Sequence, residues 1–233
     1  MLTQKQLKEV ETLFSLGAHM GHKKSRLHPR ARKNVYQIIN GTSVIDLTNT
    51  VLQIQKAEEF LYDAAKSGKS ILVVGTKKTA SAIVREYCEK NTLPYVSAKW
   101  LPGLLTNFKT IMENVKKLEG LRAHLVDNSD ESIVKHEKVK IQKQILKLER
   151  LYGGFSLLKK LPDILILIDV KKEKNALKEA KSNNIPVVGL IDTNANPDEV
   201  TIPVVCNDDT TEVVKYVIEK LLGEFVRGRT SSI

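Results

Sequence analysis

Residues 163–192, DILILIDVKKEKNALKEAKSNNIPVVGLID, decide the fold of this 233-residue chain. Two runs rich in Ile, Leu and Val, at 163–169 and 185–192, flank a helix-forming segment at 173–184. Strands that are apolar on both faces are typical of a parallel sheet covered by helices, and a helix usually connects parallel neighbours. The stretch therefore predicts one strand–helix–strand unit of an α/β domain.

The same alternation continues on both sides of this unit. Three further strands are predicted, SILVVG at 70–75, LPYVSA at 93–98 and IPVVC at 202–206. Helical segments follow the first and the last of them. Five strands alternating with helices predict an α/β fold with a doubly wound, mainly parallel five-stranded sheet of the Rossmann-like or flavodoxin-like kind.

Residues 106–152 interrupt this alternation with helical periodicity and no predicted strand. Apolar residues recur there at steps of three and four: Ile111, Val115, Leu118, Leu121 and Leu125, then Ile141, Ile145, Leu148 and Tyr152. Charged residues fill most other positions, and DNSDES at 127–132 predicts a turn. We interpret the segment as an antiparallel helical hairpin in coiled-coil contact, inserted into an α/β domain formed by 1–105 and 153–233. Two ordinary helices lying on the sheet are the alternative.

The first 68 residues are predicted to contain two helices around a β-hairpin. The first helix spans 3–16, and its apolar face is predicted to carry Leu7, Val10 and Phe14. VYQII and SVIDL are strand-like, and the Asn-Gly pair between them is a hairpin signal. The second helix is predicted to begin at Thr48 as its N-cap and to end before Gly68.

The net charge of +10 is unevenly distributed along the chain. Residues 1–160 carry 28 Lys or Arg against 15 Asp or Glu, whereas 161–233 carry 9 against 12. This division is typical of a protein that binds a polyanion with one part and something else with the other. A generally basic soluble protein is the alternative. No apolar run approaches the roughly 20 residues that span a bilayer, and the N-terminus has no targeting features, so we expect a cytoplasmic protein.

The basic arm, defined as residues 17–36, GAHMGHKKSRLHPRARKNVY, is the main candidate for polyanion binding. Its cations would face phosphates and release counterions on binding. With aromatic residues at 5%, contact with the nucleic-acid backbone is expected rather than readout by base stacking. The candidate RNA-binding residues are Lys23, Lys24, Arg26, Arg30, Arg32 and Lys33 in the arm, Lys77 and Lys78 at a helix start, and Asn107, Lys109, Lys116 and Lys117 at the start of the hairpin.

A metal site is the second interpretation of the histidines in the arm. Spaced three apart, His19 and His22 could share a helical face, and Asp192 and Asp208 follow predicted strands. The carboxyl ends of parallel strands lie on one edge, so a divalent metal such as zinc is predicted at His19, Asp192 and Asp208 if the arm folds over that edge. The alternative is that the acidic residues serve as turn and cap residues and that the protein has no cofactor.

The motifs of enzymes that use this kind of fold are missing from the sequence. The first strand–helix turn, VVGTKKTAS at 73–81, contains one glycine, where a dinucleotide site needs GxGxxG. No P-loop and no GxSxG nucleophile motif occurs either. We therefore predict that the protein is not an enzyme. A phosphate- or nucleotide-binding enzyme that uses the Gly75–Thr79 turn is the alternative.

Seven ordered motifs resemble those of one known family. They are LFSLGAHMGHKKSRLHPRARKNVY, INGTSVIDLTNT, ILVVGTKKTAS, KWLPGLLTNFKT, YGGFSLLKKLPDILILID, EAKSNNIPVVGLIDTNANPD and CNDDTTEVV. Together they resemble the S-two family of bacterial small-subunit ribosomal proteins along nearly the whole chain. Pro102, Leu27, His28 and Cys206 depart from the family pattern, which affects local loop geometry and individual RNA contacts.

The resemblance implies a structural constituent of the small ribosomal subunit that acts in translation. Its implied partners are 16S-type ribosomal RNA, between head and body, and neighbouring ribosomal proteins, including the large one that captures messenger RNA. The uneven charge fits that division, with the arm and the hairpin facing RNA and the acidic end of the sheet facing protein. Neither a membrane nor a small-molecule substrate is expected as a partner.

Overall fold

The computed structural model describes residues 2–127 and 135–231. The helices are α1 Gln4–Ser15, α2 Leu47–Lys66, α3 Lys78–Asn91, α4 Phe108–Asp127, α5 Lys135–Tyr152, α6 Lys174–Ser182 and α7 Thr211–Thr230. The strands are β1 Met20–Lys23, β2 Val35–Ile39, β3 Thr42–Ile45, β4 Ile71–Val74, β5 Tyr95–Val96, β6 Ile164–Ile168, β7 Val187–Ile191 and β8 Ile202–Val205. Within the described ranges, every helix is too short or too polar to cross a membrane.

The central sheet contains five parallel strands in the order β5-β4-β6-β7-β8. Counted along the chain within this sheet, the order is 2-1-3-4-5, the flavodoxin-like arrangement. The predicted α/β fold is confirmed. All five strands end at the same edge of the sheet, which places the loops after β4, β6, β7 and β8 side by side.

Helices cover both faces of the sheet because alternate strand residues point to opposite sides. Ile71 and Val73 pack with residues of α1, α2, α3 and α7, whereas Leu72 and Val74 pack with α6 and the base of α4 and α5. These strand residues are almost fully buried, and burial of such a side chain contributes roughly 1.5–3 kcal/mol. A sheet that is apolar on both faces is stable only when both faces are covered.

The segment 106–152 forms the two predicted helices, α4 and α5, which pack on each other. Ile111, Val115 and Tyr152 belong to the core on the sheet, so the base of the hairpin is anchored there. Farther out, Leu118 and Ile145 are buried along the predicted seam, and Arg122 pairs with Glu149 at 2.6 Å. The predicted turn at 127–132 lies beyond Asp127 outside the described residues, and the division into two domains stays a prediction.

Two local predictions in the first 68 residues are confirmed. Asn40 and Gly41 have φ angles of 48° and 75°, the left-handed pair that a tight hairpin between β2 and β3 requires. Gly68 has φ 69° directly after the C-cap of α2. In both places a short sequence signal determines a short piece of backbone.

Two other local predictions are wrong. Of the predicted apolar face of α1, Val10 packs against the core, but Leu7 and Phe14 are 49% and 59% exposed, and the helix instead buries Leu13 and Glu9. Glu9 is buried because Lys220 pairs with its carboxylate at 3.1 Å and the Tyr216 hydroxyl donates to it at 3.1 Å. The N-cap of α2 is Asp46, not Thr48, since the Asp46 carboxylate accepts from the Thr48 N–H at 2.9 Å.

Candidate nucleic-acid interface

The basic arm crosses the edge at which the parallel strands end. It forms β1, two short 3-10 helices at 24–26 and 29–34, and the start of β2, and it pairs with β3 in a small antiparallel sheet. The His22 N–H donates to Thr193 Oγ1 at 2.9 Å, and the His28 N–H donates to the Thr193 carbonyl at 2.8 Å. The Asn207 N–H donates to the Ala18 carbonyl at 3.1 Å. Loops after β7 and β8 therefore hold the arm in place.

Two glycines make this crossing geometrically feasible. Gly17 has φ 83°, the left-handed region that the predicted turn needs. Gly21 is required for a different reason, because a Cβ there would lie 2.8 Å from Thr193 Cγ2 and 3.0 Å from the Ser43 carbonyl oxygen. It lets the arm approach the loop after β7 closely.

The six predicted cations of the arm are all exposed, namely Lys23, Lys24, Arg26, Arg30, Arg32 and Lys33. Ala31 and Asn34 of the same segment are buried, and Gln53 Nε2 donates to Asn34 Oδ1 at 2.9 Å. These inward contacts turn the cationic side chains of the 3-10 helix outward. The sequence from Gly17 to Ile45 contains no Asp or Glu, so the arm presents positive charge with no carboxylate of its own.

The remaining predicted RNA-binding residues lie on other elements. Those that are exposed are Lys78 at the start of α3, Asn107 before α4, and Lys109, Lys116 and Lys117 on α4. Asn107 has a local structural role as well, since the Thr110 hydroxyl donates to its Oδ1 at 2.9 Å. The hairpin thus provides a second cationic surface.

Lys77 is less exposed than the other predicted cations. Its side chain is 18% exposed, and its ammonium lies 2.6 Å from Asp208, 2.7 Å from Asp209 and 3.2 Å from Asp169. Burial favours the neutral amine, but hydrogen bonds and charges from these carboxylates outweigh it and raise the pKa of Lys77. Lys77 therefore belongs to an internal ion-pair network and is poorly placed to bind a phosphate.

This network lies at the acidic edge, defined as Asp169, Asp192, Asp208 and Asp209 after the ends of β6, β7 and β8. Burial, together with repulsion from Asp169, raises the pKa of Asp208 to about 7 despite the bond to Lys77. Such an edge repels phosphate. The charge disfavours the alternative of a nucleotide-binding enzyme at the adjacent Gly75–Thr79 turn.

The structure brings together a different set of possible metal ligands from the predicted His19, Asp192 and Asp208. In the part of the chain that the structure describes, the converging ligand atoms belong to His22, Asp192 and Asp209, all within 4.8 Å of one another. The His19 ring instead stacks on Phe14 with 4.2 Å between ring centroids. Asp208 lies next to this set but binds Lys77.

Sequence reasoning missed the residue that organises the loop before the hairpin. Glu179 of α6 accepts from Trp100 Nε1 at 2.9 Å and from the backbone N–H groups of Gly103 at 2.9 Å, Leu105 at 3.0 Å and Thr106 at 3.2 Å. Burial would raise the pKa of Glu179, but these donors outweigh it and lower it. Trp100 is buried in the core, so it is a structural residue. No sequence pattern pairs a glutamate with a loop more than 70 residues away.

Comparisons with known proteins indicate one family. Residues 13–228 match the model of the family described as Ribosomal protein S2. The chain is 39% identical over 220 residues to "Small ribosomal subunit protein uS2" of Coprothermobacter proteolyticus, which covers 94% of this chain and 82% of the relative. It is 37% identical over 212 residues to the protein of the same name from Karelsulcia muelleri, which covers 91% of this chain and 96% of the relative. The chain therefore belongs to the ribosomal protein S2 family.

Proposed function

We propose that the chain is a structural, non-catalytic component of the small ribosomal subunit and binds ribosomal RNA through the basic arm. One observation carries the proposal: six exposed Lys or Arg side chains lie on an arm that has no carboxylate and is held by the backbone against the sheet edge. A fixed surface of this kind matches a polyphosphate backbone. The names of the relatives, which are small-subunit proteins, support the assignment and a location on the ribosome.

The expected mode of binding is electrostatic and directed at the RNA backbone. Each cation that meets a phosphate releases condensed counterions, so affinity falls as salt rises. The arm adds one exposed aromatic ring, Tyr36, which stands beside the cations at 73% exposure. Lys78, Asn107, Lys109, Lys116 and Lys117 form a second contact surface on α3 and the hairpin in this proposal.

Protein partners are assigned to residues 161–233 and to the exposed side chains of α1. Residues 161–233 have more carboxylates than cations, and the exposed Leu7 and Phe14 of α1 add apolar surface. We assign contacts with neighbouring small-subunit proteins, including the large one that captures messenger RNA, to these surfaces. Cross-linking of assembled subunits, with a photoreactive residue at position 7 or 14, tests this assignment. Cross-links exclusively to RNA would reject it.

Titration of the purified protein with 16S-type ribosomal RNA at several salt concentrations tests the RNA role. Each phosphate neutralised should contribute a slope of about −0.9 to log affinity against log salt in duplex RNA regions, and somewhat less in single strands. A variant with Glu at positions 23, 24, 30 and 32 should lose most of its affinity. The matched control reverses four exposed lysines elsewhere, at 8, 56, 90 and 171, and changes the net charge equally.

The two variants separate local binding from overall charge. A much larger loss in the arm variant than in the control is the expected result. Equal losses in both, or binding that does not respond to salt, would show that the arm is not the RNA-binding surface. Circular dichroism of both variants verifies that the fold is retained.

A further inference from the structure

The outer face of α6 carries the lysine row, defined as Lys174, Lys178 and Lys181, and all three side chains are exposed. Steps of four and three residues place them on one side of the helix. The opposite side packs on the sheet and carries the buried residues Ala176, Leu177 and Ala180. The orientation of α6 is therefore fixed by its apolar face, and the ammonium groups of the row face solvent.

Both carboxylates of residues 173–182 are turned away from the row. Glu179 accepts hydrogen bonds from Trp100 and from the loop before α4. Glu173, which directly precedes the helix, is 2% exposed, and its carboxylate accepts from the Thr76 N–H at 3.1 Å. The helix thus uses its acidic side chains for internal contacts and leaves only basic ones on its outer face.

This arrangement is unfavourable for the helix itself. The longer helices α3 and α7 contain pairs of opposite charge four residues apart, Arg85 with Glu89 and Lys215 with Glu219. Lys174 and Lys178 are also four residues apart but carry like charges, which destabilise a helix. Among the residues that the structure describes, neither has a carboxylate partner. An anion bound along α6 would remove this repulsion.

The lysine row adjoins the basic arm. Lys33 of the arm pairs with Asp198 at 2.6 Å, and Lys181 of the row lies 3.7 Å from the next residue, Glu199. Both carboxylates belong to the 3-10 helix Pro197–Glu199, which therefore contacts the arm and α6 at once. Because each carboxylate is matched by one lysine, the positive surface of the arm continues onto α6.

The chemistry of the row fits a phosphate backbone better than a protein partner. Protein interfaces are depleted of lysine and enriched in aromatic residues, methionine and arginine, whereas α6 exposes no large apolar side chain along its whole described length. Lysine carries a compact charge on a flexible stem, so it follows phosphates without a fixed geometry. At 1.5 Å per residue the row spans about 10 Å, which faces about three phosphates at the roughly 3.4 Å spacing of a duplex strand.

We propose that the lysine row extends the RNA-binding surface of the basic arm and binds the phosphate backbone of ribosomal RNA, an assignment that rests on the RNA role proposed above. RNA that contacts the arm passes the short helix Pro197–Glu199 and lies along α6. The row is thereby an exception within residues 161–233, where carboxylates outnumber cations and protein partners were assigned.

Titration of the full chain with 16S-type ribosomal RNA at several salt concentrations tests the row through the triple variant Lys174→Gln, Lys178→Gln and Lys181→Gln. Gln is close to Lys in helix propensity, so α6 is retained, and circular dichroism verifies it. The slope of log affinity against log salt should become shallower by about 2 to 3, and affinity should fall at least about tenfold, because three phosphate contacts are lost. The matched control, Lys8→Gln, Lys56→Gln and Lys90→Gln at exposed positions, should bind nearly like the unaltered chain.

The unaltered chain and the arm variant, measured in parallel, separate the row from the RNA role as a whole. If the unaltered chain binds RNA and the arm variant does not, but the row variant matches its control in affinity and slope, then α6 is not an RNA contact and the arm alone binds. If the unaltered chain does not bind RNA, both assignments are rejected.

Cross-linking gives a direct readout of the same surface. A photoreactive residue at position 178 should cross-link to RNA in assembled subunits. Cross-links from that position exclusively to a neighbouring protein would overturn the assignment, because α6 would then face a protein partner.

Discussion

Replacing Glu179 with Gln should destabilise the loop from which the hairpin departs. One oxygen of Glu179 accepts from Trp100 and Gly103, and the other accepts from Leu105 and Thr106. An amide keeps one acceptor oxygen and turns an NH₂ group toward donors on the other side. Whichever way the amide is oriented, one donor from a buried residue, Trp100 or Leu105, loses its acceptor.

The size of the effect follows from these contacts. A buried donor left without an acceptor lowers the free energy of unfolding by about 1–3 kcal/mol. The hydrogen bonds to the remaining oxygen also weaken, because that oxygen no longer carries a negative charge. Together these losses amount to about 3 kcal/mol. For a chain of this length that corresponds to about 6–12 °C in unfolding temperature.

Urea unfolding at neutral pH measures the loss, and amide hydrogen exchange at Gly103, Leu105 and Thr106 locates it. Glu86→Gln, an exposed carboxylate on α3, is the control and should change stability by less than about 0.5 kcal/mol. Equal stability of the two variants, or unchanged protection of the loop amides, would refute the reasoning.

Acidification provides a second check on Glu179. Its pKa is lowered in the folded protein, so its stabilisation is present above the unfolded value, about 4.3, and is lost as pH falls through the folded value. The advantage of the unaltered chain over Glu179→Gln should therefore shrink below about pH 4. A constant difference in stability between the two chains from pH 7 to pH 3 would mean that the negative charge of Glu179 does not strengthen its hydrogen bonds to the loop.

Three further predictions concern separate parts of the molecule. Gly21→Ala should lower the free energy of unfolding by about 1–3 kcal/mol, because the new Cβ would contact the side chain of the threonine that follows β7. In the same urea assay Gly120→Ala should be neutral or stabilising, because the space around Gly120 is open. Asp46→Ala should cost about 1 kcal/mol through loss of the N-cap, and Thr48→Ala should cost less; the reverse order in thermal unfolding would contradict the assigned cap. Burial raises the pKa of the Cys88 thiol to about 12, so an alkylating reagent at pH 8 should label it only after denaturation, as read by mass spectrometry.

Elements defined by local patterns could be predicted from the sequence. The continuous apolar runs of β4, β6 and β7 are buried on both faces, and Leu118 and Ile145, which lie on the predicted seam of the hairpin, are buried. Each of these sequence patterns lies within one helix or strand. Contacts with residues far away in the chain do not change which side chains of that element are buried.

Features that depend on distant partners could not be predicted. The buried face of α1 follows Glu9, whose partners Lys220 and Tyr216 lie at the other end of the chain. The spacing of His19 and His22 predicts that the two histidines share a helical face. His22 instead lies on β1, whereas His19 precedes that strand and stacks on Phe14, so the two histidines do not share a helical face.

The anchoring of the basic arm has a consequence for biosynthesis. The arm leaves the translating ribosome before its anchor does, because His22 is bonded to Thr193, which is synthesised 171 residues later. At rates of about 5–20 residues per second, the arm waits roughly ten to thirty-five seconds for its anchor. During that interval it is an unsupported cationic peptide that is able to bind any nearby polyanion. The anchored form of the arm therefore exists only after the loop that follows β7 has been synthesised and has folded.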